Sequence, residues 1–259
     1  MSLHTYREDG DGLPLVLLHG FPLDHRMWDE VAHRIPPGRP VLAVDLPGTP
    51  GHATDLPAPA LESSADLVAE VLRAAGIERA VVAGLSMGGY VALALLERHP
   101  DLVAGLALVD SKSTADAPEA RANRLRIADE AEASGSVEVV RGMAAALLGE
   151  TTTTARPEIA DEVRAWIDQQ EPAGIAWSQR AMAARPDRSD VLGAFRGPVA
   201  AVVGDEDTIT PVEAAEHLVA TAAGARLVVV PQAGHLSAVE QPAAVAAALA
   251  DLAAATDAG

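Results

Sequence analysis

The sequence predicts an α/β fold: a mostly parallel central sheet flanked by helices, with a block of helices inserted between two strands. Three observations lead there. Short, β-branched-rich apolar runs end at glycine or a polar residue, as buried strands do. Helical segments alternate with them, the pattern of parallel strands joined by helical crossovers. The alternation breaks once, between Ser111 and Phe195, where no convincing strand occurs.

The first run, Leu3–Arg7, predicts an edge strand, and Leu15–Leu18 the first interior one. Residues 40–44, 80–83 and 104–109 follow, and 199–203 and 227–230 come after the break. Helical segments span 27–35, 61–75, 87–98, 212–222 and 243–254, the last fraying near Thr256. The stretch before Leu15 is too short for two early strands. Within the break, helical stretches cover 119–133, 137–148, 157–170 and 174–184, while Thr151 to Thr154 reads as a polar loop. Residues 1–110 and 196–259 are therefore expected to form the core, and 111–195 a helical cap or lid.

The chain has 259 residues, enough to bury a sizeable core without disulfide or metal staples. It has no cysteine, which excludes a thiol nucleophile and any thiolate metal site. The formal net charge is −18 and Lys112 is the only lysine. Such a surface repels nucleic acid, and it disfavours an acidic carrier protein as partner. The N-terminus lacks the basic start and apolar run of a signal peptide, and no apolar stretch is long enough for a membrane span. A cytoplasmic protein with a small-molecule substrate is expected.

The chemistry concentrates in four places. Gly84-Leu85-Ser86-Met87-Gly88 follows a predicted strand and opens a predicted helix. Glycines two residues either side of Ser86 remove Cβ atoms from a tight turn, and the hydroxyl then stands at a helix N-terminus. A serine hydroxyl is a weak nucleophile and needs a base held by a third group. With a strand-to-helix serine, the acid and then the histidine follow in chain order. Gly204-Asp205-Glu206-Asp207-Thr208-Ile209-Thr210-Pro211 follows the strand ending at Val203, and Asp207 has the loop position of the acid. Asp205 and Glu206 are neighbouring rivals, and Asp110, at the end of an earlier strand, is another. His235, in Ala233-Gly234-His235-Leu236 after the last strand, is placed as the base.

The fourth place is Leu17-Leu18-His19-Gly20-Phe21-Pro22, after the first interior strand. An oxyanion hole needs two backbone N–H groups, and Met87 and Phe21 are placed to supply them, since Pro22 has none to offer. His19 reads as a loop-bonding residue. His4, His25, His33, His52, His99 and His217 show no metal-ligand spacing, so neither a metal nor a cofactor is expected.

The His-Gly-Phe-Pro loop, the Gly-Leu-Ser-Met-Gly-Gly elbow, the Gly-Asp-x-Asp-x-x-x-Pro loop and the Gly-His turn together resemble the α/β-hydrolase superfamily, over nearly the whole chain. The resemblance is strongest to small bacterial enzymes grouped with 3-oxoadipate enol-lactonase, cofactor-free haloperoxidases and esterases. One departure is Asp45-Leu46-Pro47-Gly48-Thr49-Pro50-Gly51-His52, in place of the more usual Asp-x-Arg-Gly-x-Gly turn. The resemblance implies an α/β-hydrolase fold and a serine hydrolase that cleaves a small carboxylic ester or lactone through an acyl-enzyme. Met143, Trp166, Trp177 and Met182 are candidates to roof an apolar substrate pocket. The same triad also serves a C–C lyase of the menaquinone-pathway type, a haloperoxidase or perhydrolase, or a hydrolase-fold binding protein, because it fixes the chemistry and not the substrate.

Overall fold

The computed structural model describes residues 1–259. In chain order it runs β1 (Leu3–Arg7), β2 (Leu15–Leu18), a 3-10 turn (His25–Trp28), α1 (Asp29–Arg34), β3 (Val41–Val44), α2 (Leu61–Ala74), β4 (Ala80–Leu85), α3 (Met87–Arg98) and β5 (Val103–Val109). Seven helices then follow without a strand: α4 (Pro118–Ser134), α5 (Glu138–Arg141), α6 (Met143–Ala146), α7 (Glu150–Ala155), α8 (Pro157–Ile167), α9 (Pro172–Ala184) and α10 (Ser189–Ala194). The chain closes with β6 (Val199–Gly204), α11 (Val212–Thr221), β7 (Arg226–Val230), α12 (Ser237–Glu240) and α13 (Pro242–Asp257). No helix is long and apolar enough to cross a membrane.

The seven strands pair in the order β1-β3-β2-β4-β5-β6-β7. Only β1 is antiparallel, and it lies at the edge beside β3. Strands β2 to β6 are buried along their whole length, which is why they read as continuous apolar runs without alternation. The chain reverses direction across the sheet around β2 and β4. Loops leaving the carboxyl ends of neighbouring strands there meet at one crevice, where open α/β sheets bind ligands.

Three local expectations are corrected. Thr151 to Thr154 is helical within α7, not a loop. The Glu206 carboxylate takes the Thr151 N–H at 2.8 Å and its hydroxyl, satisfying the start of the helix from outside it, and Thr152 is fully buried. Residues 137–148 form two short helices meeting at Gly142, where the chain has least helical preference. The C-terminal helix continues to Asp257, whose carboxylate accepts from Leu13 N at 3.1 Å and Arg39 Nη2 at 2.7 Å. In each case a partner distant in sequence, or a glycine within the run, overrides the local pattern.

Candidate active site

Ser86 sits between the last residue of β4 and the first of α3, at φ 50° and ψ −109°. A non-glycine residue held in this region is strained, and neighbours must hold it there. They do: Ser86 N donates to Val109 O at 2.9 Å, and Ser111 Oγ donates to Ser86 O at 2.9 Å. The flanking glycines are required by contact. A Cβ on Gly84 would lie 2.2 Å from the Gly88 carbonyl carbon, and one on Gly88 would lie 2.1 Å from Leu18 O. Gly88→Ala should therefore lower the melting temperature by the equivalent of about 1–3 kcal/mol, the usual cost of overpacking. Gly142→Ala has open space around its Cβ and a right-handed backbone, so it should leave the melting temperature unchanged or raise it. Thermal unfolding of the two variants checks the contrast.

His235 reaches Ser86 from across the sheet. Ser86 Oγ donates to His235 Nε2 at 2.9 Å, and His235 Nδ1 donates to Asp207 Oδ2 at 2.8 Å. His235 and Asp207 are buried. Asp207 also accepts from Ile209 N at 2.8 Å, Thr210 N at 3.0 Å and Thr210 Oγ1 at 2.7 Å. Burial would raise the Asp207 carboxyl, but the His235 contact and the Thr210 donors outweigh it and hold it below the usual carboxylate range. The carboxylate thus stays charged and fixes which imidazole nitrogen carries the proton.

The rival carboxylates are engaged elsewhere. Asp110 accepts from Gly204 N at 3.0 Å and from Ser237 N and Oγ at 3.1 and 2.6 Å. Burial, with the nearby Asp207 charge, lifts its carboxyl well above the ordinary value. Asp205 has a weak 3.5 Å contact from Ala233 N, and Glu206 binds Thr151.

The amides of Phe21, in the loop after β2, and of Met87, at the start of α3, are engaged by no backbone hydrogen bond. Met87 opens α3, so its helix offers it no earlier carbonyl. Gly20 lets the Phe21 loop press against the elbow: a Cβ there would meet Leu85 Cδ2 at 2.9 Å. His19 is buried and bonded on both sides, donating from Nδ1 to Gly20 O at 3.1 Å and accepting Leu46 N–H at 2.9 Å. Burial lowers its pKa, which suits a neutral structural ring.

Beside Phe21 and Met87 lies a slot of about 10 Å³, barely one water, walled by Thr49, Gln170, Gly174, Ile175 and Ser178 among others. A larger depression of about 480 Å³, at His52, Asp55 and Asp66, is lined by no residue of the Ser86 cluster. Met143, Trp166, Trp177 and Met182 do not line the slot. Trp177 donates its ring N–H to Pro57 O at 2.7 Å, Met182 takes an Arg124 N–H at 3.4 Å, Trp166 lies beside the Arg26 guanidinium and Met143 packs on the core. Trp177, Trp166 and Met143 join the inserted helices to the core, Met182 packs within them, and Gly174, Ile175 and Ser178 of α9 wall the slot. Ile175 and Ser178 on α9, and Gln170 just before it, gave no signal in the sequence, because nothing local marks which face of this segment meets the loop after β3.

His4, His25 and Asp45, distant in sequence, place potential ligand atoms within 4.8 Å of one another. The two imidazoles are stacked 3.4 Å apart at 9°, so their in-plane lone pairs run side by side instead of converging. Both rings hydrogen-bond the Asp45 carboxylate, at 2.7 and 3.0 Å. Burial would raise that carboxyl, but the His25 contacts hold it low. The cluster anchors β1 to the chain just after the Phe21 loop.

A strand-to-helix serine hydrogen-bonded to a buried imidazole, itself bonded to a charged carboxylate, defines a serine hydrolase acting on ester bonds. The chain belongs to the Alpha/beta hydrolase family, whose profile residues 15–248 match. A pimeloyl-[acyl-carrier protein] methyl ester esterase of Neisseria meningitidis is 31% identical over 240 residues, covering 85% of each chain. A thermophilic esterase from Thermogutta terrifontis, solved with malate bound, superposes with a TM-score of 0.92 at 34% identity, over 99% of this chain and 93% of that one. An enol-lactonase from Burkholderia xenovorans shares the fold, with a TM-score of 0.84 at 24% identity over 96% of this chain and 95% of that one.

Proposed function

We propose that the protein hydrolyses a small carboxylic ester by acyl transfer, with Ser86 as nucleophile, His235 as general base and Asp207 as its orienting acid. The observation that carries this reading is the run of hydrogen bonds from Ser86 through His235 to Asp207, at 2.9 and 2.8 Å. His235 Nε2 takes the hydroxyl proton as Ser86 Oγ attacks the ester carbonyl. The amides of Phe21 and Met87 receive the developing oxyanion, each such donor worth about a hundred- to a thousand-fold in rate. The imidazolium returns its proton to the leaving alcohol, and water, activated by the same ring, cleaves the acyl-enzyme.

Residues 111–195 act as the cap in this reading, since Gln170, Gly174, Ile175 and Ser178 wall the slot beside the Phe21 and Met87 amides. The slot holds barely one water, so these walls have to part for an ester to reach Phe21 and Met87, which favours a small substrate. A methyl ester, the group named for the Neisseria relative, fits that requirement. The carrier-protein part of that name transfers less well, because a chain with net charge −18 repels an acidic carrier.

A panel of p-nitrophenyl acetate, short methyl esters, longer acyl esters and simple lactones tests the reading. Turnover is expected to be highest for the acetate and the methyl esters, and to fall as both sides lengthen. Absence of turnover on the whole panel, with no labelling of Ser86 by a fluorophosphonate, would overturn it in favour of a binding role for the same fold.

A further inference from the structure

Between Gly234 and Leu236, His235 has no hydrogen bond from its own loop to hold its backbone. Glu240, fully buried at the end of α12, holds the backbone on either side of His235, sharing the Leu236 amide with Leu147 O. Its Oε1 accepts from Gly234 N at 2.8 Å and from Leu236 N at 3.3 Å, the amides on either side of His235. Its Oε2 accepts from Gly149 N at 2.8 Å, at the threshold of α7. No cation pairs with it. A buried carboxylate without a counter-charge is costly unless hydrogen-bond donors surround it, and here the amides of Gly149, Gly234 and Leu236 are joined by the Thr152 side chain.

The geometry of α12 makes the contact possible. Glu240 N donates to Leu236 O at 2.9 Å, so a single helical turn brings the carboxylate back beneath the loop that precedes it. The approach from the other side is equally close. A Cβ on Gly234 would lie 2.3 Å from Gly149 N, and Leu236 N donates to Leu147 O at 3.1 Å. The His235 loop is therefore pinned between its own helix and the segment joining α6 to α7.

We propose that Glu240 is a positioning residue for His235: its carboxylate fixes the two amides flanking the base and ties them to the start of α7. The proposal rests on the assignment of His235 as the base. A base displaced by a fraction of an ångström no longer lines up with the Ser86 hydroxyl, and misplacement of about 1 Å costs about a hundredfold in rate. Glu240→Gln keeps the shape but turns one acceptor oxygen into a donor that faces an N–H.

The test compares Glu240→Gln with Glu206→Gln in the full chain. The Glu206 side chain ties α7 to the loop of Asp207, and its contact with the His235 loop, N to Ala233 O at 2.8 Å, is made by the backbone and survives the substitution. E240Q is expected to lose about ten- to a hundredfold in kcat with KM within about twofold, and its rate of fluorophosphonate labelling should fall in parallel. E206Q is expected to lose thermal stability while keeping kcat within about twofold, since no reacting group moves. A folded E240Q with wild-type kcat and labelling rate overturns the proposal, as does an equal loss of activity in both variants that tracks their unfolding. If E240Q does not accumulate as folded protein, E240D keeps the charge and shortens the reach, and must show the same loss confined to kcat. A folded E240D with wild-type kcat overturns it equally. Wild-type protein that neither labels nor turns over would sink the ester-hydrolase reading, an outcome separate from these.

Discussion

Ser86→Ala is expected to reduce hydrolysis of p-nitrophenyl acetate about a million-fold, leaving only the contribution of the oxyanion loop and of binding. That loss corresponds to about 8 kcal/mol of transition-state stabilisation. The fold should survive. Alanine at φ 50° carries the same backbone strain as serine, and the Ser86 N–H and carbonyl contacts to Val109 and Ser111 involve no side-chain atom of residue 86. The melting temperature should therefore stay close to that of the wild type while fluorophosphonate labelling disappears. A variant with substantial residual esterase activity would place the nucleophile elsewhere.

The second large effect separates two carboxylates. Asp207→Asn should lower kcat by about four orders of magnitude, because an amide facing Nδ1 favours the tautomer in which Nε2 carries the proton and cannot accept one from Ser86. Asp110→Asn should instead act on stability. Three donors from Gly204 and Ser237 converge on its two oxygens, and an asparagine offers one acceptor oxygen to meet them. A loss of about 1–3 kcal/mol in folding free energy is expected, with kcat within about tenfold of wild type. Parallel measurement of kcat and thermal unfolding decides between them: a catastrophic loss of kcat in the folded Asp110 variant would move the acid to β5.

Both of these residues illustrate how far the sequence carries. Asp110 and Asp207 each end a strand or follow one, and each has the chemistry of an acid. Their separation depends on where a histidine far along the chain points its ring. The 2.8 Å contact from His235 to Asp207 and the turn of Ser237 onto Asp110 are arranged by the tertiary fold. The same holds for Glu240, whose partners include an amide from residue 149. No pattern of spacing marks it as other than a glutamate on a short helix.

Ser86 as the strand-to-helix serine was legible from the start, and so were the seven strands. Strand runs are written locally: buried parallel strands must be apolar on both faces, and Ser86 can occupy its strained turn only with glycines at 84 and 88. Other features depended on contacts made only once the chain had folded. Thr151 to Thr154 became helical because Glu206 satisfies the start of α7. Trp166, Trp177 and Met143 of the inserted helices packed onto the core, while Gln170, Ile175 and Ser178 walled the slot beside Phe21 and Met87. Local sequence determines backbone conformation and burial period. Which side chains share a cavity or a hydrogen bond is set by packing between segments as far apart as Ser86 and His235, and that information exists only in the tertiary structure.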